Sequence, residues 1–177
     1  MPSRRVLVLT GPPAVGKSTT ARALAASRER CAVVDVDDVR QLVVSGGAAP
    51  WDGDEGLRQQ RLGVRNACAL AGNFVAAALD VVVTDVLTSE TVGLYRDLLP
   101  GCLVVHLRVP IEQARRRATT RPVWLTDEEF DALHATDASL DLAADHVLET
   151  GDLDADGLAS AVEAVWRCGA ASDVRSR

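Results

Sequence analysis

The chain has 177 residues, within the roughly 100 to 200 of a typical domain, which argues against two domains and for one core of useful size. Its 47% hydrophobic and 25% charged residues, with a mean hydropathy of +0.07, exclude wholesale disorder and a collagen-like repeat. Nineteen basic residues against 25 acidic ones give a net charge of −6, so a broad basic surface for nucleic acid is excluded and any anion must be met locally.

Residues 5–10 form a short aliphatic run ending in a Gly/Pro turn, which predicts a strand buried on both faces. Residues 16–27 follow as a helix, with an apolar stripe through Ala21, Leu24 and Ala25. A second strand is predicted over 32–36, a short helix over 38–44 stopped by Gly46-Gly47, and a loop to about residue 54. From Glu55 to Leu79 the spacing of Val64, Ala67, Cys68, Ala71, Phe74, Val75 and Ala78 predicts one long helix. Residues 81–86 and 102–109 read as buried strands on either side of a helix over 90–99. Pro110 opens a helix over 111–120, and a capping box at Thr126-Asp127-Glu128-Glu129 starts another. A weak strand over 146–149 and a helix over 155–168, with Trp166 on its apolar stripe, complete the alternation.

Strands alternating with helices predict an α/β fold: a parallel sheet covered by helices on both faces. One domain is expected over residues 1–171, with a flexible tail at 172–177. The amino-terminal apolar stretch is too short for a signal-peptide core or a membrane span, and the scattered cysteines 31, 68, 102 and 168 show no metal-ligand spacing. These cysteines read as small buried hydrophobes in a cytoplasmic protein with no membrane partner.

Directly after the first strand stands Gly11-Pro12-Pro13-Ala14-Val15-Gly16-Lys17-Ser18, a complete G-x-x-x-x-G-K-S phosphate-binding motif between a strand and a helix. Its glycines let the backbone wrap a phosphate, its amides and the helix amino terminus supply positive potential, and Lys17 reaches the terminal phosphates. Ser18 offers a hydroxyl to magnesium, and Thr19 completes the cradle. Lys17 is the chain's only lysine; eighteen arginines carry the other positive charges. A compact ammonium has been kept where arginine's planar fork would not substitute.

Asp35 and Asp37, two apart at the end of the second strand, are expected to point to one side, as a metal-associated carboxylate and a general base. Asp38 would face elsewhere and suits a helix cap. Asp85, after Val81-Val82-Val83-Thr84, loosely matches a Walker B acid, with a magnesium, substrate or water role or else a structural hydrogen bond.

These features resemble the small P-loop kinases of the nucleoside monophosphate kinase-like group, among them shikimate and gluconate kinases, chloramphenicol phosphotransferase and the tunicamycin-resistance-type ATP-binding proteins. The resemblance implies a three-layer P-loop fold with a five-stranded parallel sheet and an arginine-rich lid. It also implies ATP and Mg2+ as cofactors, Asp35 near the magnesium hydration shell, Asp37 on the acceptor hydroxyl, and a turn at Thr150-Gly151-Asp152 around the adenine. Arg115, Arg116, Arg117 and Arg121, the last followed by Pro122, fall in or beside an expected lid at about 117–126, with Arg117 and Arg121 as its catalytic members and Trp124 beside the substrate.

On the long helix Arg58, Arg61 and Arg65 share a face; they read either as a solvated surface or, through Arg58 or Arg65 with Asn66 and Trp51, as an acceptor pocket. His106 reads as a satisfied interior residue, and His134 and His146 carry no partner pattern. The expected activity is phosphoryl transfer from ATP to a hydroxyl of a metabolite or antibiotic, by a monomer or homodimer. A nucleoside monophosphate kinase and a non-catalytic ATP-binding resistance protein are the alternatives. An N-K-x-D guanine motif is impossible with Lys17 already used, and an AAA-type motor is disfavoured by size.

Overall fold

A computed structural model describes residues 6–119 and 125–172. In chain order the elements are β1 (Val6–Thr10), α1 (Lys17–Ala26), β2 (Cys31–Asp35), α2 (Val36–Arg40), α3 (Gly53–Ala76) and β3 (Asp80–Thr84). Then come α4 (Ser89–Leu98), β4 (Leu103–Arg108), α5 (Ile111–Ala118), α6 (Asp127–Ser139), β5 (His146–Glu149) and α7 (Ala155–Ser172). The five strands form one parallel sheet in the order β2-β3-β1-β4-β5. All five residues of β1, at the centre, are buried, as the unbroken Val-Leu run requires.

The period of two divides these strands between two cores. Val6, Val8, Val81, Val83 and Val104 pack under α2, α3 and α4, with Val64, Ala67, Ala71 and Tyr95. Leu7, Leu9, Val82, Leu103, Val105 and Leu107 face the other way, against α1, α5, α6 and α7, with Leu24, Phe130, Val162 and Trp166. Each fully buried aliphatic side chain contributes roughly 1.5–3 kcal/mol, so the two layers hold the carboxyl ends of β1, β3 and β4 rigidly side by side. Below the sheet, Arg28 stacks 3.6 Å over the Trp166 ring and pairs with Asp80 (2.7 Å) and Glu163 (2.9 Å), joining the end of α1 to β3 and α7.

Five expectations are corrected. The helix after β2 is Val36–Arg40, not 38–44, because the Asp35 carboxylate caps it by accepting from the Asp37 amide at 3.1 Å. Asp37 and Asp38 therefore lie in a first helical turn, and the strand periodicity that aligned Asp35 with Asp37 does not apply. The long helix ends at Ala76, where Ala78 adopts φ 62° and its amide and that of Leu79 return to the carbonyls of Val75 and Phe74. Ala78 is consequently exposed, off the apolar stripe. Cys68 and Cys102 are buried as expected but Cys168 is exposed, and the described residues contain no disulfide. Among the described residues no helix is long and apolar enough to cross a membrane.

Candidate active site

The β1–α1 connection carries the phosphate-binding motif. Gly11 sits at φ 139° with its α-carbon so close to β4 that an added Cβ would stand 2.2 Å from the Leu107 carbonyl oxygen. Gly16, at φ 108°, precedes the first turn of α1, and a Cβ there would meet Leu158 of α7 at 3.1 Å. Ala14 also takes a positive φ of 60°. Glycine enters this region without a Cβ penalty, and the turns it permits aim successive amides at one point. The half-buried Lys17 ammonium donates to the carbonyls of Gly11 (2.6 Å) and Pro12 (3.0 Å). Burial lowers its pKa, opposed by the charges of Asp37, Asp85, Asp35 and Asp137.

Beside the loop opens a cleft of about 390 Å³, lined by residues 14–20 and by Arg117, Ala118, Leu153, Asp154, Ala155 and Leu158. Arg117 forms part of its wall, tied down by bonds from Nη2 to the Thr150 carbonyl (2.7 Å) and from Nη1 to the Thr150 hydroxyl (3.2 Å) and the Val15 carbonyl (3.3 Å). Within the described residues it is therefore a brace between the phosphate loop and the β5–α7 turn. Gly151 lies in that turn, where an added Cβ would meet Gln113 at 2.8 Å. Sequence reading missed Leu153 to Leu158 because nothing in a Leu-Asp-Ala-Asp stretch marks a cleft wall. Arg121, Trp124 and the rest of residues 120–124, half of the expected lid, lie outside the described residues. Arg115 is paired with Asp131 of α6.

Asp35, Asp37 and Asp85, whose charges act on Lys17, make up the acidic part of the site. Ser18 Oγ donates to Asp35 Oδ2 at 3.2 Å, so a hydroxyl and a carboxylate, both hard oxygen donors, stand together where α1 begins. Such a pair fits a magnesium ion that keeps most of its waters. Asp37 is exposed, and its Oδ1 accepts from Arg40 at 2.9 Å. The other Nη of Arg40 reaches Asp85 at 2.9 Å.

Asp85 is enclosed: Oδ1 also accepts from the Val86 amide (2.8 Å), and Oδ2 accepts from the Tyr95 hydroxyl (3.0 Å). Burial raises its pKa, while Arg40 pulls it back down. Both oxygens are thus taken by protein donors, and the structure gives Asp85 to Arg40. Burial lowers the Arg40 pKa, but the charges of Asp85 and Asp37 outweigh it, and the net shift is upward.

From behind, α6 closes the site. His134 Nε2, 3.0 Å from the Pro13 carbonyl oxygen, is the donor of that bond, and burial lowers the ring's pKa. His106 lies in β4 with Nε2 2.8 Å from Asp137 Oδ1, while its buried Nδ1 has no hydrogen-bond partner among the described residues, so it is half satisfied. Neither contact is visible in the sequence, since His134 and Pro13 are 121 residues apart. Of the expected acceptor residues, Arg58 pairs with Glu55 (2.8 Å), Arg61 pairs with Glu90, Arg65 is exposed, and Trp51 is 55% exposed. Asn66 lines a separate cavity between α2 and α3.

Residues 7–132 match the family described as AAA domain, a span from β1 into α6 that includes the phosphate loop and Asp35, Asp37 and Asp85. The chain belongs to this family. Among solved structures, a sugar kinase from a Janibacter species superposes with a TM-score of 0.74 at 19% identity, over 96% of each chain. Shikimate kinase from Acinetobacter baumannii, in complex with shikimate, gives 0.62 at 23% identity over 90% of this chain and 91% of that one. The Deinococcus radiodurans tunicamycin resistance protein gives 0.66 at 15% identity over 90% and 94%. No curated relative matches this sequence. These likenesses establish the fold of the small P-loop kinases, the group the motifs resembled.

Proposed function

We propose that this AAA-domain protein is an ATP-dependent kinase that transfers the γ-phosphoryl group to a hydroxyl of a small molecule. The supporting observation is the convergence, beyond the carboxyl ends of β1 and β2, of the phosphate loop, the Ser18–Asp35 pair and a carboxylate, Asp37, held by Arg40. Loop amides and Lys17 bind and orient the phosphates; Ser18 and Asp35 would hold Mg2+, which neutralises phosphate charge when bound. Asp37 Oδ1 is engaged by Arg40, and Oδ2 has no hydrogen bond among the described residues. That oxygen takes the proton of the acceptor hydroxyl as the oxygen attacks in line.

Arg117 braces the wall against which the nucleotide lies, with Gly151 in the supporting turn, and Arg121 and Trp124 would close over it. A phosphate-bearing acceptor is less well supported. Of the three arginines such a substrate would use, Arg58 and Arg61 are already paired with Glu55 and Glu90, which leaves Arg65.

The test separates the two carboxylates. Asp37→Asn should keep ATP binding and lose roughly 10²-fold or more in kcat on its acceptor, found by screening sugars, nucleosides and amino-sugar antibiotics with ATP. Asp35→Asn should instead raise the magnesium concentration needed for half-maximal rate. Wild-type turnover in Asp37→Asn would overturn the base assignment, and phosphorylation of none of the acceptors would favour a non-catalytic ATP-binding protein.

A further inference from the structure

Asp85, the acid the sequence offered to magnesium, points away from the Ser18–Asp35 pair, and the strand register shows which residue takes its place. Thr84 of β3 pairs with Asp35 of β2 on one side and with Leu9 of β1 on the other. Residues paired across a parallel sheet share a face. Leu9, and Val82 two residues before Thr84, lie in the core that packs against α1, while Asp35 meets Ser18 where α1 begins. Thr84 therefore stands on the α1 face, in one row with Asp35 and about 4.8 Å along the sheet from it. Asp85 follows in the chain and turns to the opposite face, where it meets Tyr95.

The fold makes no use of the Thr84 hydroxyl. The residue is 2% exposed, yet its Oγ1 has no hydrogen-bond partner among the described residues. Other buried side-chain atoms share that condition, but Arg28, Arg40, Arg108 and His106 each engage another nitrogen of the same side chain, and Gln113 lies against Gly151 in the β5–α7 turn. Threonine has a single polar side-chain atom, so here its whole polar capacity is idle. Valine has the same branched shape, suits a strand equally well and carries no hydroxyl to desolvate, so packing alone would favour valine at this position.

We propose that Thr84 is a third oxygen of the magnesium site, accepting a hydrogen bond from a water of the ion's hydration shell. Mg2+ gives up its waters reluctantly, and a water on a divalent cation is a strengthened donor that needs an acceptor. Asp35 already accepts at both oxygens, from Ser18 (3.2 Å) and from the Asp37 amide (3.1 Å). The next oxygen along the row is that of Thr84. Thr84 brings no charge, so the phosphates of the nucleotide must supply most of what holds the ion, which then binds with the nucleotide and not ahead of it. The inference rests on the reading of Ser18 and Asp35 as magnesium donors, and not on phosphoryl transfer or on the identity of the acceptor.

Titration calorimetry with ADP, in millimolar Mg2+ and in EDTA, tests this without any turnover. The wild type should bind ADP more tightly with Mg2+ than in EDTA. Thr84→Val should cut that gain by about tenfold, the scale of losing an outer partner of a metal site, and leave ADP binding in EDTA unchanged. Because no bond within the fold is lost, nucleotide-free Thr84→Val should melt at or above the wild-type temperature. Thr84→Ser, which restores the hydroxyl, should recover the gain. Three results would overturn the proposal: an undiminished Mg2+ gain in Thr84→Val, a lower melting temperature for that variant without nucleotide, or no recovery in Thr84→Ser. A wild type whose ADP affinity ignores Mg2+ would overturn the reading of Ser18 and Asp35 as magnesium donors, and this inference with it.

Discussion

Replacing Arg40 with methionine removes the guanidinium that joins Asp37 to Asp85 and keeps most of the aliphatic stem that lies over Gly63. The Asp85 side chain is wholly enclosed, so its carboxylate keeps only the Val86 amide and the Tyr95 hydroxyl. Breaking a buried pair by removing one partner costs about 3–5 kcal/mol. Two remaining donors, and an Arg40 side chain that is itself 21% exposed, place this case near the lower end, about 3 kcal/mol.

With a urea m-value of about 2–3 kcal/mol/M, the unfolding midpoint should fall by about 1–1.5 M. The pH dependence has a definite sign. Burial already raises the Asp85 pKa above 3.8, and losing Arg40, which opposes that shift, raises it further. An acid raised in the folded state loses stability as pH climbs from its unfolded value through its folded one, so the deficit should be small near about pH 4 and grow as pH rises above it. Asp85→Asn added to Arg40→Met should restore about 2 kcal/mol at neutral pH by removing the stranded charge. A midpoint within about 0.3 M of wild type, a deficit independent of pH, or no relief from Asp85→Asn would refute this account of the pair.

Gly11→Ala should abolish nucleotide binding and lower the melting temperature, because the new Cβ cannot stand 2.2 Å from the Leu107 carbonyl oxygen; thermal unfolding with and without ATP checks both. His134 is held neutral by burial, so its contribution is complete above about pH 6.5 and lost as pH falls below that value; His134→Gln, which keeps a donor for Pro13, should flatten the stability profile in that window. Lys17→Ala should leave the far-ultraviolet circular dichroism unchanged and abolish turnover, since the ammonium bonds only to loop carbonyls.

The strands and the phosphate loop were legible because their signals are local. Val-Leu runs bounded by Gly and Pro can hardly be anything but buried strands, and a G-x-x-x-x-G-K-S motif carries its own backbone geometry. Asp35-Val36-Asp37-Asp38 was misread for an equally local reason: alternation suggested a strand, while the first Asp also has the chemistry of a helix cap, and the cap won. The end of α3 was missed because Ala78 takes the left-handed position where a glycine would have signalled the stop. The Arg40–Asp85–Tyr95 chain and the contact of His134 with Pro13 join residues from separate elements. No periodicity within a single segment encodes such pairings, so they became visible only once the sheet had set the distances.

The clasp of Arg28 on Trp166, Asp80 and Glu163 lies at the far end of the sheet from the phosphate loop, yet it governs the far end of a lever. Helix α7 is anchored by that clasp, and two turns earlier in the same helix Leu158 abuts Gly16 and lines the cleft beside the phosphate loop. Slackening the clasp with Arg28→Met would let α7 tilt, and the error would be greatest where Leu158 meets the loop. Arg28 does not line that cleft, yet on this reasoning its loss should raise the KM for ATP while leaving that for the acceptor in place.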